Sequence, residues 1–184
     1  PHHECEIAQS VNFSHEPYFA RFWAHTAMVG FEGAKMSKSL GNLVMVDKLL
    51  DKYSPDAIRL YLARHHYRTP WEFYYKDLEG TVADCNQLVQ SVQVVGGTAN
   101  PLEWRAAQSA FENALDDDLN TPAACEILCR FAGETLSACD ERRDVTEAQE
   151  WIRQAAGVLG LRLDATEPES RVPAGWNKHM KRFS

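Results

Sequence analysis

The chain has 184 residues, 45% of them hydrophobic and 24% charged, enough to bury a real core in one domain or two small ones. No run of about 18 apolar residues occurs, which excludes a helical membrane span, and no basic-then-apolar leader opens the chain. The net charge of −7 is uneven: residues 101–168 hold six basic against fourteen acidic side chains, so that half is a poor non-specific binder of nucleic acid and any RNA contact is expected locally, in the first half.

The start at Pro1 rather than Met reads as an excised piece of something longer. Five cysteines, an odd number in a chain that needs no staples, fit a reducing cytoplasmic setting. The opening turn, Pro1-His2-His3-Glu4-Cys5-Glu6, carries the first candidate chemistry. On a helix His2 and Glu6 lie one turn apart, so an imidazole nitrogen and a carboxylate can converge on one cation, with Cys5 near the same face. A tetrahedral zinc site needs further ligands from elsewhere, and a surface ion pair is the ordinary alternative. Residues 19–25 then read as the end of a helix with Phe19, Phe22 and Trp23 on its apolar side, and residues 28–31 as a short buried strand.

Lys35-Met36-Ser37-Lys38-Ser39 follows, between Gly33 and Gly41 and between two apolar runs. Lysines at i and i+3 with glycine hinges suit a mobile loop that closes on a polyphosphate, because the glycines admit unusual backbone angles and the ammonium groups can follow developing charge. The Gly-rich phosphate loop motif is not matched, and a solvated surface loop is the alternative. Asp47 is placed to cap a short helix reaching about residue 53. Ser54-Pro55 is a clear helix start, with Ile58, Tyr61, Leu62 and His65 at helical spacing. His65-His66-Tyr67-Arg68 could touch phosphate, with ion pairing as the alternative for Arg64 and Arg68.

Beyond residue 75 the pattern is helical throughout. Leu78, Val82, Cys85, Val89 and Val92 mark a long helix ended by Gly96-Gly97, and a second from about residue 101 carries Ala107, Phe111 and Leu115. Asp116-Asp117-Asp118-Leu119-Asn120-Thr121-Pro122 breaks the chain and restarts it, Thr121 as cap and Pro122 opening the third helix. Three consecutive aspartates cannot all face one ion on a helix, so a solvated turn is expected there. Cys125, Cys129 and Cys139 share a face with Leu128, Ala132 and Leu136 and read as small core residues rather than metal ligands. A fourth helix, capped by Asp144 or Thr146, carries Ala148, Ile152, Ala155 and Leu159 and ends at Gly160. Residues 166–170 read as a linker and 172–183 as a short basic helix. Four amphipathic helices with short links imply an antiparallel bundle in a mainly α chain.

The wording of these segments adds to their spacing. Lys35-Met36-Ser37-Lys38-Ser39 followed by Leu40-Gly41-Asn42 resembles the second signature of class I aminoacyl-tRNA synthetases. Pro1-His2-His3-Glu4, then Glu6-Ile7-Ala8-Gln9-Ser10, Phe22-Trp23 and His25, resemble cysteinyl-tRNA synthetases. So do His66-Tyr67-Arg68 with Thr69-Pro70-Trp71, and the run from Ala114 to Pro122; the resemblance covers residues 1 to about 163. It implies four parts: 1–32, the end of a class I nucleotide-binding catalytic domain with short strands; 33–75, a lysine-loop connecting fold that leans on the tRNA acceptor stem; 76–163, the helical bundle; and 164–184, a linker and short basic helix. It implies that Lys35 and Lys38 are catalytic, and that Lys35, Met36, Ser37, Lys38 and Ser39 bind ATP with its magnesium. It also implies His2 and Glu6 as zinc ligands completed by upstream cysteines absent here, and modest RNA contacts for Arg64 and Arg68. The family usually has Asn where this chain has Cys5, which sets a spare thiol beside the metal.

What the resemblance implies is part of a monomeric, cytoplasmic ligase acting on cysteine, ATP and tRNA. The His-x-Gly-His signature of the ATP site is absent, so the chain alone is expected to be inactive. Two alternatives stand beside this one. The mycothiol-pathway ligase joins cysteine to an amino sugar and carries the same loop; a helical binding module would have no catalysis at all.

Overall fold

The computed structural model describes residues 2–16 and 18–164, so the expected linker and basic helix beyond Asp164 lie outside the described residues. In chain order it runs α1 (His2–Ser14), β1 (Val29–Phe31), β2 (Ala34–Lys35), a 3-10 turn (Lys38–Leu40), α2 (Val46–Leu50), α3 (Pro55–Ala63), β3 (Trp71–Phe73), α4 (Tyr75–Ser91), α5 (Arg105–Asp116), α6 (Thr121–Asp140) and α7 (Thr146–Val158). The fold is mainly α, with one small sheet in the order β2-β1-β3.

α1 buries none of its residues. Residues 19–25 are not helical, contrary to their apolar spacing. Phe22 is 91% exposed, and an amphipathic stripe with nothing to pack on lacks the burial that holds most helices together. Trp23 instead lies 5.1 Å from His3 and 5.6 Å from Phe19, ring to ring, and His3 lies 4.8 Å from His25.

β1 pairs antiparallel with β2 through the turn Glu32-Gly33. Both turn residues have positive φ, 54° and 75°, the pattern of a type I′ hairpin, and Gly33 meets it without a Cβ penalty. β1 pairs in parallel with β3, Val29 opposite Trp71 and Phe31 opposite Phe73. Phe73 joins Leu49, Ile58, Tyr61 and Leu78 in a small core under the sheet, with Val29, Phe31 and Met36 packed against it.

α3 begins as its sequence indicates, Ser54 accepting a hydrogen bond from Ala57 N at 3.2 Å with Pro55 as the first helical residue. Its Ala57 and Leu60 face a larger core built by α4 to α7. Other boundaries differ from the spacing. Asp47 is not the cap of α2, which starts at Val46 after Met45 and ends at Leu50; its carboxylate accepts from Lys48 N within the first turn. α4 stops at Ser91, before Gly96-Gly97. Those glycines serve a close approach instead: Gly97 N donates to Arg143 O at 2.7 Å, and a Cβ at Gly97 would overlap the Arg142 carbonyl. The chain then runs along residues 142–144, with Leu102 N bonded to Asp144 O, which delays α5 to Arg105. α6 is capped by Asn120, whose Oδ1 accepts from Ala123 N at 3.2 Å, with Thr121 already inside the helix. The Asp144 carboxylate accepts from Thr146 N at 2.9 Å, and that backbone N–H holds its pKa below the usual carboxylate range.

The bundle core centres on aromatic rings from three helices. Trp151 meets Phe131 edge-on at 4.9 Å and Phe111 at 6.2 Å, among the fully buried Leu88, Leu128 and Ile152.

All five cysteines are free thiols, Cys5 exposed and Cys85 and Cys125 buried. Burial pushes Cys85 up to about 11 and Cys125 up to about 12. Because the thiolate is the nucleophile and a buried thiol is also out of the reagent's reach, a maleimide at neutral pH is expected to label the exposed Cys5 well before Cys85 or Cys125. Peptide mapping by mass spectrometry checks this, and equal labelling in the folded chain would contradict the buried positions.

Candidate functional site

The β1–β2 hairpin delivers Lys35 at the exposed end of an edge strand. Met36 turns inward and packs against the small core, which anchors the loop there. Asn42 then closes it: its Oδ1 accepts from Ser37 N at 2.9 Å and its Nδ2 donates to Lys35 O at 3.3 Å. The Ser37 hydroxyl accepts from Leu40 N at 3.3 Å and lies 3.2 Å from the Ser39 hydroxyl, so it caps the 3-10 turn that carries the Lys38 backbone. Gly41 leaves that turn with φ of 66°. The arrangement holds Lys35, Ser37 and Ser39 around one turn, with a cation and two hydroxyls available to a ligand that brings negative oxygen. Asn42 is the residue that spacing alone did not single out. The signature wording includes it, and an Asn just after Gly41 stands where an Asx side chain readily closes a turn.

His2 and Glu6 lie on α1 four residues apart, both on its exposed surface. Among the described residues α1 packs extensively on no other element, and no group of three or more His, Cys, Asp or Glu is placed to hold a metal ion. The pair supplies two ligands at most.

The His65 to Arg68 segment turns towards the protein's own interior and bundle. His65 stacks on Trp71 at 3.7 Å and its Nδ1 lies 2.9 Å from Tyr61 O; burial lowers its pKa. His66, Tyr67 and Arg68 converge on Asp118. His66 Nε2 is 3.2 Å from Asp118 O, the Tyr67 hydroxyl donates to Oδ1 at 2.7 Å, and Arg68 binds both carboxylate oxygens at 2.6 and 3.1 Å. The triple-Asp turn is therefore a clamp and not merely a solvated break. Asp118 and Leu119 both have left-handed backbone, φ 51° and 55°, a conformation that needs such outside support in non-glycine residues. Arg64 pairs with Asp84 at 2.7 Å and reaches Thr81 and Cys129; burial pulls its pKa down, and the bond to Asp84 more than offsets that and raises it. Both arginines are thus held in ion pairs. One open cleft of about 550 Å³ is lined in part by Arg64, Asp84, Glu126, Cys129 and Arg130, and among the described residues no lysine-loop residue borders it.

The Arg68 hydrogen bond holds the Asp118 carboxyl below its usual range. A carboxyl lowered in the folded state contributes stability that is complete above its unfolded pKa and is lost as pH falls through the folded one. Asp118→Asn is therefore expected to lower the melting temperature at neutral pH. The difference from the unsubstituted chain should shrink below about pH 4 and in high salt; thermal melts across pH 3–7 check it, and a constant difference would assign the loss to the backbone turn alone.

Comparison with known proteins bears on the whole arrangement. Residues 1–83 match the family described as tRNA synthetases class I (C) catalytic domain, and residues 110–164 match the DALR domain. A cysteine–tRNA ligase of Xanthomonas campestris pv. campestris is 40% identical over 96% of this chain and 36% of its own length. One of Pseudomonas paraeruginosa is 37% identical over 95% of the chain and 37% of its own length, and one of Laribacter hongkongensis 35% identical over 88% and 34%. The chain spans about a third of the length of these curated relatives. With the lysine loop inside the first matched stretch and α6 and α7 inside the second, the chain is similar over most of its length to cysteine–tRNA ligases.

Proposed function

We propose that the chain is part of a cysteine–tRNA ligase, which activates cysteine with ATP to cysteinyl-adenylate and pyrophosphate and then passes the cysteinyl group to the terminal ribose of tRNA. The observation that carries this reading is the lysine loop, closed by Asn42 with Lys35 exposed at the end of β2. In that reading the cysteine carboxylate attacks the α-phosphorus of ATP and pyrophosphate leaves. Lys35 and Lys38 stabilise the charge that builds on the phosphates, while Ser37, Ser39 and the loop backbone position them, with Met36 as the anchor; magnesium arrives with the nucleotide. The protein forms no covalent bond in this step.

His2 and Glu6 fit two positions of a tetrahedral zinc shell, one helical turn apart, and the remaining donors would come from other sequence. Zinc, when bound, supplies selection by softness, since a thiolate is a strong ligand and a serine hydroxyl a weak one. The division of labour follows the sequence: 1–32 completing a catalytic domain, 33–75 carrying the lysine loop, 76–163 forming the bundle. tRNA contacts fall to the first half, in a monomeric enzyme of the reducing cytoplasm.

The test is a chimera in which residues 1–164 replace the corresponding stretch of the Xanthomonas relative. Cysteine-dependent ATP–pyrophosphate exchange followed by charging of tRNA supports the reading. A folded chimera with neither activity would sink it.

A further inference from the structure

Lys35, Gly30 and Glu72 form one row across the sheet: Lys35 is opposite Gly30 on β1, and Gly30 is opposite Glu72 on β3. Residues directly opposite on adjacent strands share a face, so a lysine and a glutamate flank a position that has no side chain. Glu72 leans into the gap. A Cβ on Gly30 would come within 2.6 Å of the Glu72 carboxyl carbon, and Glu72 Oε2 accepts from Gly33 N at 3.3 Å in the hairpin turn. The carboxylate therefore lies over β1, displaced from its own strand towards β2. Adjacent strands are about 4.8 Å apart, so about 10 Å separates the two backbones, a span that a leaning glutamate and a four-carbon ammonium stem can close together. Lys35 is exposed, and among the described residues it is in no ion pair.

We propose that Glu72 is a positioning residue for the lysine loop, offering the Lys35 ammonium a resting partner across Gly30 when no polyphosphate is bound and yielding it when one binds. The proposal rests on the function read above. Carboxylate and triphosphate compete for one cation, while the hydrogen bond to Gly33 keeps the turn in place during the exchange. Gly30 is what makes the row work, because any side chain there would fill the path between the two charges.

Glu72→Gln removes the charge and keeps an acceptor for Gly33 N. The first readout needs no activity: amine acetylation of this chain at low salt, mapped by mass spectrometry, with Lys48 beside Asp51 as internal reference. An amine held against a carboxylate is shielded from the reagent, so Lys35 is expected to react about two- to fivefold faster in E72Q, the range an exposed ion pair supports, and the excess should vanish in high salt. Equal Lys35 reactivity in both proteins overturns the proposal. In the chimera, E72Q is expected to lower KM for ATP by a similar factor with kcat held. A raised KM with a reduced kcat would make Glu72 only a prop for the turn and overturn the competition. An unsubstituted chimera without exchange would instead defeat the reading of function, and Lys35 acetylation would still decide the pairing.

Discussion

Lys38→Ala in the full-length chimera is expected to slow cysteinyl-adenylate formation by about 10²–10³, the usual cost of removing one contact to charge that develops in a transition state. The loss should fall on kcat more than on KM for ATP, because an interaction made mainly in the transition state does not contribute to ground-state binding. The backbone supports this division of effects. Lys38 opens a 3-10 turn capped by the Ser37 hydroxyl and released by Gly41, so the substitution leaves the turn's own hydrogen bonds in place. Lys38→Arg retains the charge but alters its shape, and an intermediate rate is expected. Single-turnover measurement of pyrophosphate release separates chemistry from product release. A rate unchanged in Lys38→Ala would remove the loop from the chemistry.

Trp151→Ala is expected to cost about 3–5 kcal/mol of folding stability, the range for removing a large buried aromatic. Trp151 on α7 is 4% exposed and ties α6 to α5 through its two edge-on contacts with Phe131 and Phe111. Alanine would leave a cavity bounded by three helices that are themselves pinned, α6 by the Asn120 cap and α7 by Asp144. Urea titration should show a lower midpoint at an unchanged slope. A loss below about 1 kcal/mol would mean that the bundle collapses into the space.

What could be read from the sequence was what depends on neighbours along the chain. The stripe Leu78, Cys85 and Val92 and the start of α3 at Ser54-Pro55 follow from periodicity and capping, and both recur in the fold. Residues 19–25 had the spacing of a helix, but spacing carries no information on whether a surface exists to receive it. The site divides the same way. The wording from Lys35 to Asn42 marked the loop, whereas its supports come from afar: Glu72 meets Gly33 across 39 residues, and Asp118 meets Arg68 across 50. No local pattern distinguishes those carboxylates from solvated ones. Asp116-Asp117-Asp118 reads as a charged turn because, among the described residues, only the third aspartate has side-chain partners in another part of the fold, and a sequence motif does not reveal which one.

α3 is shared by both cores, Ile58 and Tyr61 on one side and Ala57 and Leu60 on the other, all buried. Sheet and bundle therefore have a party wall and no soft seam between them, and the Arg68–Asp118 clamp braces the same junction from outside. A load applied at the loop cannot be relieved by tilting one module against the other without prising both faces off that helix. In the function proposed above, the compliance needed to close on a ligand falls to the segment between Gly33 and Gly41, with the sheet and the bundle as its abutment.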